Sequence, residues 1–109
     1  MTYETALVAL ADPTRRRIFE ALRASSRTVS EIAARQPVSR PAVSQHLKVL
    51  QEAELVTVER RGTRRIYSIR REGLSALRDY LDGFWDEVLE EYRKEVVRSA
   101  ERPERRSEE

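Results

Sequence analysis

A chain of 109 residues, 39% hydrophobic and 37% charged, has room for one thin hydrophobic core; this excludes a multi-domain enzyme and favours burial shared with a second copy. No cysteine and a single histidine exclude disulfides, thiol nucleophiles, Fe–S clusters and every metal site built on thiolates. No apolar run approaches the length of a membrane span, and Met1 leads into Glu4 without a basic run, so a cytoplasmic protein with neither span nor signal peptide is expected.

In chain order, Tyr3, Ala6, Leu7 and Leu10 recur at helical spacing, and Asp12 followed by Pro13 supplies an N-cap with proline at the first helical position. The second helix, about 13–24, turns Ile18, Phe19, Ala21 and Leu22 toward a core and carries Arg15, Arg16 and Arg17 in its opening turns. Ser25 and Ser26 break it. Thr28 with Glu31 forms a capping box that predicts a short helix from Val29 to about Arg35. Ser39 caps a further helix reaching about Ala53, which tolerates Pro41 in its opening turn and repeats Val43, Leu47 and Leu50 as one buried stripe.

After Leu55 the period changes to two. Val56 and Val58 alternate with polar neighbours, and residues 66–69 alternate again beyond Gly62, which predicts two antiparallel strands joined by a turn. Helical spacing resumes from about Glu72 to Ala100, with Leu74, Leu77, Leu81, Phe84, Trp85, Val88, Leu89, Tyr92 and Val96 in one apolar band and Gly83 as a weak point. The fold class expected is mainly α with a two-stranded β-wing, a winged helix-turn-helix in the order α-α-α-α-β-β-α. Residues 1–100 form this domain, and the charged, apolar-free residues 101–109 are expected to be disordered.

The net charge of +2 conceals a polarity: residues 13–71 hold 14 basic and 5 acidic side chains, whereas residues 72–109 hold 7 and 12. A basic block of this kind suits a polyphosphate partner, although a solvated Arg-rich surface has the same composition. Placement favours the former. With Val43, Leu47 and Leu50 inward, Arg40, Ser44, Gln45 and Lys48 turn outward near the start of the helix and His46 lies at the flank. Gln bonds adenine bidentately, Arg bonds guanine, Ser reaches base or phosphate, and Lys48 is suited to phosphate. An amphipathic helix with a merely solvated face is the alternative. Arg60, Arg61, Arg64 and Arg65 bracket Gly62 and Thr63, so four guanidinium groups gather at one hairpin tip. They match phosphate oxygens or a narrow minor groove, or pair with the acidic final helix.

The strings DPTRRRIFEAL, SRPAVSQHLKVLQEAELV and RRGTRRIYSI resemble the ArsR/SmtB family of bacterial winged helix-turn-helix repressors over about residues 5–95. The resemblance implies a homodimer that binds a double-stranded operator with an inverted repeat near its own promoter and represses transcription. It implies DNA contacts by Ser39, Arg40, Ser44, Gln45, His46, Lys48 and the four hairpin arginines. It also implies a dimer interface at Tyr3, Leu7 and Leu10 in the first helix and at Leu77, Leu81, Phe84, Trp85, Val88 and Tyr92 in the last.

The sequence departs from the metal-sensing members. Their Cys-x-Cys motif falls here on Thr28, Val29 and Ser30, and Asp79, Asp82 and Asp86 have no histidine beside them, since none follows His46. No metal, cofactor or catalytic constellation is therefore expected, and the chain resembles the Cys-free, autorepressor-like branch, with its effector undefined. Phe84, Trp85 and Tyr92 suit a dimer core better than a ligand pocket, and the carboxylates at 79, 82, 86 and 87 suit a solvated face better than a Mg²⁺ or Ca²⁺ site. The competing class is a winged-helix adaptor whose acidic helix and Arg-rich wing dock a protein partner.

Overall fold

The computed structural model describes residues 3–101. Their contacts divide into two units, one ending at Arg78 and one beginning at Asp79. The elements run α1 (Tyr3–Ala11), α2 (Pro13–Glu20), β1 (Arg27–Thr28), α3 (Val29–Ala33), α4 (Arg40–Glu52), β2 (Val56–Arg61), β3 (Arg64–Ile69) and α5 (Arg71–Ala100). The expected disordered tail at 101–109 lies outside the described residues except for the exposed Glu101.

Helices α2, α3 and α4 start at the predicted caps. The Arg15 N–H donates to the Asp12 carboxylate at 2.9 Å, and Pro13 occupies the opening turn where its missing N–H costs nothing. Thr28 and Glu31 close the capping box reciprocally: the Glu31 N–H donates to Thr28 Oγ1 at 3.2 Å and the Thr28 N–H to Glu31 Oε1 at 2.8 Å. Both carboxyls sit below their ordinary values, Asp12 mainly through the Arg15 N–H and Glu31 mainly through the Thr28 N–H. α2 and α3 are shorter than their periodicity predicts, because the residues that follow them are drawn into turns.

Ile18, Ile32, Val43, Leu47, Leu50, Leu55 and Val56 are fully buried, so α2, α3, α4 and β2 converge on one core, with Ala6, Ala9, Phe19, Leu22 and Tyr67 around it. The sheet has three strands, not two, in the order β1-β3-β2. Arg27 pairs with Tyr67 and Thr28 with Ile66, a two-residue strand too short to show any alternation. Gly62 at φ +64° opens the two-residue loop between β2 and β3, the position that a type II′ hairpin turn reserves for glycine.

α4 ends in a Schellman motif: the Leu55 N–H donates to the Leu50 carbonyl and the Glu54 N–H to that of Gln51, both at 2.9 Å. Glu54 takes the left-handed position at φ +61°, where glycine is usual. It is held there from both sides of the chain. The Arg70 guanidinium pairs with the Glu54 carboxylate at 3.3 Å, the Arg70 N–H donates to the Leu55 carbonyl at 2.8 Å, and Gly73 packs directly on the Glu54–Leu55 backbone.

The second unit is helical from Asp79 to Ala100, and Gly83 does not interrupt it. Ion pairs Glu90–Arg93 at 2.7 Å and Glu91–Lys94 at 3.5 Å line its polar side. Its apolar side is open: Leu81, Phe84, Trp85, Val88, Leu89, Tyr92, Val96 and Val97 are 41–67% exposed.

Candidate nucleic-acid interface

α4 presents the face that its spacing dictates. Val43, Leu47 and Leu50 are buried, Arg40, Ser44, Gln45, Lys48 and Gln51 are exposed, and His46 is half-buried at the flank. Ser39 serves first as the N-cap, accepting the Ala42 N–H on Oγ at 3.3 Å. Gln51 was not among the candidate readers. It lies three residues beyond Lys48 and seven beyond Ser44, so the helical period alone places it on the same face.

The basic block divides by use. Arg15 and Arg16 reach back to donate to the Ala9 and Leu10 carbonyls, each at 2.9 Å, and Arg27 donates to the Ala21 carbonyl at 2.8 Å. These three guanidiniums compensate carbonyls at helix ends, where the backbone dipole is negative. All four hairpin arginines, by contrast, are exposed. Arg60 stands opposite Arg65 and Arg61 opposite Arg64, and like charges directly across a ladder oppose strand pairing. An arrangement that works against the hairpin's own stability is suited to an anionic partner.

Between α4 and β3 lies an open hollow of about 600 Å³, lined by Ser44, Gln45, Lys48, Gln51, Arg65 and Tyr67 among others. Helix donors and a hairpin guanidinium therefore border one concave surface. Among the described residues, no three His, Cys, Asp or Glu side chains converge as a metal cluster would require, and no helix is long and apolar enough to cross a membrane.

Residues 10–59 match the helix-turn-helix domain family. The chain is 55% identical over 84 residues to the HTH-type transcriptional regulator Rv2034 of Mycobacterium tuberculosis, covering 77% of this chain and 78% of that one. It is 38% identical over 61 residues to the transcriptional repressor SdpR of Bacillus subtilis, covering 56% of this chain and 68% of the relative. Its fold matches the homodimeric winged helix-turn-helix DNA-binding domain of Mb0332 from Mycobacterium bovis, a possible ArsR-family regulator, with a TM-score of 0.63 at 31% identity over 81% of this chain and 82% of that one. The chain belongs to the ArsR family. Members of this family are DNA-binding transcriptional regulators rather than enzymes, and in this ArsR-family chain α3 and α4 form the helix-turn-helix and β2 and β3 the wing.

The expected interface residues fall into separate groups. In α1, Leu7 is 40% exposed, Tyr3 is half-buried, and Leu10 packs against the core of its own unit. In α5, Leu77 is half-buried, while Leu81, Phe84, Trp85, Val88 and Tyr92 are exposed. Thr28 and Ser30, at the positions of the cysteine motif, are a helix cap and an exposed hydroxyl.

Proposed function

We propose that the chain is a homodimeric, sequence-specific repressor that binds an inverted repeat, its own promoter region among the targets, and that it does not sense metals. The observation that carries this is the exposed polar face of α4 beside a hairpin tip bearing four exposed arginines. Arg40 and Gln45 are assigned to base edges and Ser44 to base or phosphate, with Ser39 and His46 at the margins and Lys48 and the wing arginines on the backbone. Dimerisation is supported by the open apolar side of α5, by Leu7 and Val8 on α1, and by the homodimeric relative. Residues 1–100 are taken as one winged helix-turn-helix domain with dimerisation helices at both ends. Two copies would set their recognition helices about one DNA turn apart, which is why a palindrome is the matching target.

The test is fluorescence anisotropy with a duplex from the region upstream of the gene and with a scrambled duplex, alongside light scattering for mass. Tighter binding of the upstream duplex by a dimer, unaltered by Zn²⁺ or EDTA, supports the proposal. A monomer, or a dimer that binds no duplex even at low salt, overturns it and favours the protein-docking adaptor.

A further inference from the structure

The hairpin has two unlike faces. Side chains alternate along a strand, so Arg60 and its cross-strand partner Arg65 share a face with Tyr67, while Arg61 and Arg64 share the other with Glu59 and Ile66. The second face supplies its own counter-charge. Arg61 pairs with Glu59 at 3.4 Å, and Arg64 borders two hollows that contain Glu31, one of them together with Glu59 and Arg61 and the other shared with Arg65; the Arg64 charge also helps to lower the Glu31 carboxyl. No carboxylate lines the hollow between α4 and β3, to which α4 contributes Gln45, Lys48 and Gln51 and β3 contributes Arg65.

We infer that this acid-free hollow is the seat of one sugar-phosphate strand, gripped by Lys48 and Arg65 with Gln51 as a neutral donor, and that Arg61 and Arg64 contribute less. The inference rests on the DNA-facing reading of α4 and the hairpin. A helix in the major groove and a hairpin at the adjacent minor groove must straddle the backbone that separates the two grooves, and this hollow is a concave surface lying between α4 and β3. A phosphate there meets two cations, neither of which forms an ion pair among the described residues. On the opposite face it would first have to displace Glu59 from Arg61.

The test uses a labelled mixed-sequence duplex, because backbone contacts do not depend on sequence. Binding is titrated from low to moderate salt for the wild type, for Lys48→Ala, Gln51→Ala, Arg61→Ala, Arg64→Ala and Arg65→Ala, and for Arg40→Ala as a variant outside the hollow. Every replaced side chain is exposed, and circular dichroism melts verify that each variant folds. Lys48→Ala and Arg65→Ala should each weaken binding roughly five- to tenfold at low salt and reduce the steepness of the salt dependence by about one. Gln51→Ala should weaken it roughly fivefold with the salt dependence unchanged. Arg61→Ala and Arg64→Ala should lose less on both measures. Losses from Arg61→Ala or Arg64→Ala that equal or exceed that of Arg65→Ala overturn the inference while leaving the DNA-facing reading intact. If only Arg40→Ala weakens binding, the wing is off the backbone and the inference falls. A wild type that binds no duplex removes the underlying reading as well.

Discussion

The two glycines of α5 provide a test in which one helix should respond in opposite directions. A Cβ added at Gly73 would lie 2.0 Å from the Glu54 carbonyl oxygen and 2.9 Å from its carbon. Both are backbone atoms, so no rotamer relieves the clash; the start of α5 and the C-terminal turn of α4 must move apart by about 1 Å. That movement pulls on the 2.8 Å hydrogen bond from Arg70 to the Leu55 carbonyl and on the Arg70–Glu54 pair. Overpacking of this kind costs about 1–3 kcal/mol or more, against a helix-propensity gain of at most about 1 kcal/mol. A net loss of about 2 kcal/mol is expected for Gly73→Ala, which lowers the melting temperature by roughly 8–16 °C in a domain of this size. At Gly83 nothing lies within 4 Å of the added atom, and the position is opposite Trp85 and Val88 on the helix wheel. Gly83→Ala should therefore raise stability by about 1 kcal/mol. Urea denaturation of both variants at one protein concentration reads both effects. A Gly73→Ala protein as stable as the wild type would refute the close approach of α5 to the Glu54 turn.

Further outcomes follow from the caps and faces described above. Thr28→Ala removes the acceptor for the Glu31 N–H and should cost about 1 kcal/mol in a urea titration. Asp12 and Glu31 are lowered from ordinary values of 3.8 and 4.5, so the stability they contribute is complete above those values and is lost as pH falls through the lower folded ones. Acid unfolding curves should accordingly be less steep in Asp12→Asn and Glu31→Gln. Trp85→Asp should leave the far-ultraviolet spectrum unchanged, halve the mass seen by light scattering and weaken duplex binding by roughly 10²-fold or more, as loss of the second reading head requires. Gln45→Ala should flatten base preference at particular operator positions in a selection from randomised duplexes, and Lys48→Ala should lower all affinities together.

The helix-turn-helix and wing are legible in the sequence because their signals are local. Asp12, Thr28 and Ser39 each mark a helix start within three residues of their bonding partners, and the 43-47-50 stripe fixes which side of α4 remains outside. What escaped depends on residues far apart in the chain. The two residues of β1 are a strand only because Tyr67 and Ile66 lie alongside them. Gly73 carries no signal of its own in the sequence; its close approach exists only because the Glu54 turn is placed against it. The arginines of residues 13–71 look equivalent as charge, yet Arg15, Arg16 and Arg27 are bound to backbone carbonyls and Arg61 to Glu59. Alternation along β3 puts Arg64 and Arg65 on opposite faces, but only the β2–β3 register, set across the Gly62 turn, puts Arg61 and Glu59 on the face of Arg64.

Thr28 is at once the last residue of β1, paired with Ile66 of the wing, and the N-cap on which α3 begins. The hairpin and the first helix of the reading pair thus share a rivet with no slack residue between them. Any signal that loosens the grip on an operator has little freedom to bend the wing away from the helices within one copy. In the proposed dimer it is better spent changing how far apart, and at what angle, the two copies are held.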